Sequence, residues 1–181
     1  MSESPFVAVG FGAYLVAVGA TGPLVLLAFA LRHLLGTRPF ARALAAVAAL
    51  PLAGLLVLSA WVGVEVAPLA SVDVALRALP VWVACWGVPL VLAYAAGRRV
   101  GLDPERALRR AAGALPVGLA ASLVVFVSPG GFSRYNITFL TGTEALVWWT
   151  AFALVLFLLP GALSVGVAAL DGRLRSRGDI D

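Results

Sequence analysis

The sequence holds one cysteine, one histidine and one asparagine, and no lysine or glutamine at all. Each scarcity removes a kind of chemistry. A lone Cys85 cannot close an internal disulfide. Haem, non-haem iron and catalytic zinc centres draw on several His, Cys or carboxylate ligands. One His33 and one Cys85 do not supply them, so no metal and no cofactor is expected. A Walker-type phosphate loop is impossible without lysine.

Charge is scarce as well. Charged residues make up 12% of the 181 and hydrophobic ones 62%, with a mean hydropathy of +1.02. A soluble domain is about half apolar and about a quarter charged, and this chain lacks the charge to cover a wetted surface. Disordered and disulfide-scaffold readings fail on the same numbers. The composition is that of an integral membrane protein. The net charge of +4 is small, and the arginine placement below accounts for it without a nucleic-acid partner. All thirteen basic residues are arginine. With the heavy use of Ala, Gly, Val and Leu, this reads as a GC-rich prokaryotic genome and hence a prokaryotic plasma membrane.

What is present is a set of long uncharged runs. They count 28 residues between Glu3 and Arg32, 22 between Arg42 and Glu65, 20 between Arg77 and Arg98, 23 between Arg110 and Arg134, and 26 between Glu144 and Asp171. A helix crosses the hydrocarbon core with roughly 20 apolar residues, and in lipid a backbone satisfies its own hydrogen bonds only as a helix or a closed barrel. The runs do not alternate polar with apolar as barrel strands do. The expectation is an all-α polytopic bundle, one integral membrane domain over 1–181. Its five transmembrane helices are placed near 6–31, 43–64, 78–97, 111–128 and 145–170, with an external loop at 129–144 and a cytoplasmic tail at 171–181.

Orientation follows from arginine. Arg32, Arg38 and Arg42, then Arg98, Arg99, Arg106, Arg109 and Arg110, then Arg173, Arg175 and Arg177 fall on one side of such a bundle. Only Arg77 and Arg134 fall on the other. Eleven against two places the N-terminus outside and the C-terminus in the cytoplasm. Ala28-Phe29-Ala30 resembles a signal cleavage motif, but Met1 to Pro5 carries no positive charge and the apolar stretch is too long for a signal peptide. Asp103-Pro104-Glu105 offers an N-cap, a proline at the first helical position and an acidic first turn, so the fourth helix is expected to begin there, in water.

Small residues recur every four positions: Ala13, Ala17 and Thr21; Ala41, Ala45, Ala49 and Ala53; Ala114, Gly118 and Ser122; Ala162 and Gly166. Such stripes let membrane helices approach closely, and they are expected to be packing faces. Trp61, Trp82, Trp148 and Trp149 map to the external helix ends as an aromatic belt, with Trp86 one turn deeper.

Candidate sites are few. No Asp, Glu, Lys, Arg or His lies within the five runs, which counts against a proton-coupled pump. Ser59, Ser71, Ser128 and Ser133 lie across the bilayer from His33, so a Ser-His-Asp assembly fails. In the last external loop, Tyr135, Ile137 and Phe139 alternate with Arg134, Asn136 and Thr138. The loop is either a lid lying on the bundle or a small polar site for an anionic ligand, lipid or partner protein. That site would use Arg134, Tyr135, Asn136 and Glu144, with Glu65 and Asp73 within possible reach. On the inner face Arg98, Arg99, Arg106, Arg109 and Arg110 suit anionic lipid headgroups or a cytoplasmic partner.

No catalytic constellation emerges. The leading expectation is a small non-catalytic accessory or assembly subunit of a membrane complex, with a membrane protein partner or a homo-oligomer. The alternative is an oligomeric transporter or channel component, with Thr21, Ser59, Tyr94, Ser122 and Thr150 as a polar lining. A lipid-modifying enzyme using Arg134 with Glu144 or Asp73 ranks third.

Overall fold

The computed structural model describes the backbone of residues 5–35, 39–65, 68–128 and 142–178. It describes side chains over 10–34, 39–51, 53–54, 57, 76, 78–128, 142–144 and 146–170. The fold is all-α: α1 spans Pro5–Leu35, α2 Phe40–Glu65, α3 Pro68–Arg99, α4 Pro104–Val127 and α5 Gly142–Gly178. No strand occurs among the described residues. Four stretches are long and apolar enough to cross a membrane: Gly10–Leu34, Ala78–Arg99, Pro104–Val127 and Gly142–Leu170. In α2 the described apolar stretch is shorter, Phe40–Pro51.

The helices outrun the uncharged runs because a helix does not stop where the hydrocarbon does. α3 starts at Pro68, where the missing N–H of a proline costs nothing. α5 continues through Arg173, Arg175 and Arg177 to Gly178, so most of the expected tail is helix. Arginine is a good helix former, and the single Gly172 costs only about 1 kcal/mol. The expected loop at 129–144 is likewise shortened, since α5 already begins at Gly142.

Packing divides the chain into two compact units, Met1–Gly87 and Val88–Asp181. In the first, α1 buries Tyr14, Ala17, Thr21, Val25 and Ala28, while α2 buries Phe40, Ala43, Leu44 and Val47. Both sets follow helical spacing and so form one stripe each. Phe29 and Phe40 join α1 to α2, ring centroids 4.7 Å apart. On α2 the ladder Ala41, Ala45, Ala49 and Ala53 is exposed. Phe40, Leu44 and Val47 bury more apolar area than alanines do, so their side turns inward.

In the second unit α4 buries Ala111, Ala114, Leu115, Gly118, Leu119 and Ser122. A β-carbon on Gly118 would collide with the Pro160 ring, so α4 and α5 touch there because glycine has no side chain. One on Gly161 would meet the Ala93 backbone at 3.6 Å. Ala114, Gly118 and Ser122 are thus a packing face as expected, whereas Ala162 and Gly166 are exposed.

Candidate functional site

All five arginines expected to act together lie on the α3–α4 connection and its flanks. α3 closes with two backbone bonds, Leu102 N–H to the Gly97 carbonyl at 3.1 Å and Gly101 N–H to the Arg98 carbonyl at 3.1 Å. This is a Schellman motif. It needs a left-handed residue after the helix, and Gly101 provides it at φ 84°. Asp103 then opens α4, its Oδ1 accepting from the Arg106 N–H at 3.0 Å, with Pro104 following. The turn is therefore fixed by its own backbone, and the arginines emerge from it at set positions.

Their partners differ. Arg98 Nη1 donates to the Leu102 carbonyl at 2.7 Å. Arg109 Nε donates to the Glu105 carbonyl over a looser 3.4 Å. Arg106 Nε pairs with Asp103 Oδ2 at 3.0 Å. The Arg106 amide bond, aided by the charges of Arg106 and Arg109, holds the Asp103 carboxyl below the usual aspartate range. Arg99 is exposed, and Arg110 is half-buried with its Nη1 enclosed.

Of the other expected site, only the side chain of Glu144 lies among the described residues. Glu144 is exposed in the first turn of α5. Arg134, Tyr135 and Asn136 lie outside the described residues, as do the side chains of Glu65 at the end of α2 and Asp73 in α3. No group of three His, Cys, Asp or Glu placed to hold a metal occurs among the described residues.

A buried polar contact in the first unit escapes sequence reading. Trp86 Nε1 donates to Thr21 Oγ1 at 2.7 Å, and the Thr21 hydroxyl donates to the Ala17 carbonyl. Trp82 stacks on Trp86, centroids 5.4 Å apart and planes 18° apart. Trp82 and Trp86 are both buried against protein. Trp149 is exposed and sits edge-on to Phe152. The signal in the sequence was the chemistry of tryptophan: a buried indole N–H needs an acceptor. Of the expected lining, Thr21 and Ser122 are buried and bonded to their own helices, Tyr94 is half-buried and Thr150 exposed, and the Ser59 side chain is outside the described residues.

Comparison of the chain with protein-family models, with curated proteins and with solved structures finds no match.

Proposed function

We propose that this chain is a small non-catalytic multi-pass protein of a prokaryotic plasma membrane, serving as an accessory or assembly subunit of a membrane complex. In this reading all five helices cross the bilayer, with the N-terminus outside and the C-terminus cytoplasmic. The 22 uncharged residues between Arg42 and Glu65 are enough for α2 to do so, and the arginine distribution supports the orientation.

The supporting observation is the outward face of α2. Ala41, Ala45, Ala49 and Ala53 are exposed there. The same helix also exposes Leu50 and Val57. Lipid chains gain nothing from a bare backbone ridge, whereas a second helix gains close van der Waals approach. The test is purification of the tagged chain in mild detergent. A stoichiometric membrane partner is expected, lost in the Ala45→Leu, Ala49→Leu double variant while the chain stays in the membrane. A clean monomer without partner overturns the proposal.

One observation favours the transporter or channel alternative: Ser164 is buried and its hydroxyl has no hydrogen-bond partner. A polar group left over inside a membrane helix is a feature of solute paths. Solute flux in vesicles holding the purified chain, lost on Ser164→Ala, would support it; vesicles tight to all tested solutes count against it.

A further inference from the structure

The arginines of the α3–α4 turn divide into two kinds by what holds them. Arg106 is paired with a carboxylate at 3.0 Å, which offsets part of its charge. Arg98 and Arg109 are bound to carbonyl oxygens. A neutral acceptor uses one of five guanidinium donors, fixes the group in place and leaves its charge intact. From Arg98 to Arg110, five arginines stand against Asp103 and Glu105 alone, an excess of three positive charges. The two anchoring carbonyls belong to Leu102 and Glu105, three residues apart, so they lie within about 11 Å of one another by chain reach.

We propose that Arg98 and Arg109, with the exposed Arg99 beside them, form a preorganised seat for the phosphate of an anionic phospholipid, and that Asp103 withholds Arg106 from it. Guanidinium forks match phosphate oxygens geometrically, and fixing them in advance lowers the ordering cost of binding. The ligand is a lipid because of what adjoins the seat. The arginines cap the apolar stretches Ala78–Arg99 and Pro104–Val127, and Val91, Leu92 and Val100 are exposed on the α3 side, where acyl chains would lie. The inference rests on the membrane-embedded topology proposed above and not on any partner protein.

The test is native mass spectrometry of the delipidated full chain in detergent, titrated with phosphatidylglycerol and, separately, phosphatidylcholine. Phosphatidylglycerol is expected to bind more tightly. Arg98→Gln and Arg109→Gln should each weaken it about fivefold, the worth of one arginine near an anionic headgroup. Arg106→Gln should cost less than about twofold by the same scale. Asp103→Asn retains a side chain fit to cap α4 and releases Arg106, so it should tighten binding, a gain that misfolding cannot imitate. Equal affinity for the two lipids, an Arg106→Gln loss as large as that of Arg98→Gln, or no gain in Asp103→Asn overturns the proposal. So does displacement of the lipid by millimolar inorganic phosphate, which would make the site one for soluble anions. Failure of these titrations in a chain that still captures its membrane partner leaves the accessory role standing; lipid selectivity without a partner does the reverse.

Discussion

Thr21 and Trp86 lie 65 residues apart and share a hydrogen bond between side chains of α1 and α3 in the first unit. In an apolar surrounding neither group has water as an alternative, although partners in the unfolded state keep such bonds modest, at about 0.6 to 1.7 kcal/mol. Thr21→Val and Trp86→Phe should each destabilise the protein, and a double-mutant cycle on thermal unfolding in detergent should return a coupling in that range. Gly118→Ala should cost more. Its new methyl would press on the Pro160 ring, which cannot swing aside, and overpacking of this sort costs about 1–3 kcal/mol. Gly113→Ala meets open space and should leave the midpoint unchanged or slightly raised, since alanine is the better helix former. Asp103 adds a pH dependence. Its carboxyl titrates lower when folded, so ionisation favours the folded turn: the stabilisation is complete above the ordinary aspartate value of about 3.9 and fades as pH falls through the lowered one. The charges bearing on it are Arg106 and Arg109, with Glu105 adjacent. Unfolding midpoints taken from about pH 5 downward should fall for the wild type, and Asp103→Asn should flatten that part of the profile.

Two exposed positions test the orientation of the helices. In a Cys85→Ser background, Val100→Cys places a thiol on the α3–α4 turn and Thr143→Cys one in the first turn of α5. Both positions are exposed. The proposed topology predicts that a membrane-impermeant reagent added to intact cells labels Thr143→Cys at once, and Val100→Cys only after permeabilisation. The reverse pattern would invert the orientation. At this scale the sequence is informative where the physics is local. Asp103-Pro104-Glu105 announces the start of α4 because capping involves only adjacent residues. The direction in which α2 faces is not legible, because a helix with alanine on most sides has little to choose between them. Phe40, at one end of it, decides the matter by meeting Phe29 on another helix. The burial of Trp82 and Trp86 is not legible for a related reason: the acceptor that draws Trp86 inward is on α1, out of sight of any local pattern.

As a whole the molecule is an apolar object whose chemistry sits at its ends. Composition alone gives the membrane class, because charge density is a bulk property and needs no knowledge of contacts. The candidate site is legible only by half. The five arginines are visible as a cluster, but which of them pair with a carboxylate and which with carbonyl oxygens depends on acceptors that no residue-type pattern encodes. The connection between α3 and α4 carries a last consequence. Only Val100 to Asp103 separate the two helices, with the end of α3 sealed by main-chain bonds and the start of α4 by the Asp103 side chain, so under the proposed topology the two would enter a bilayer as one hairpin. Whichever compartment keeps the turn keeps the ends of both rods, so a mutation that re-addresses one passenger re-addresses the other.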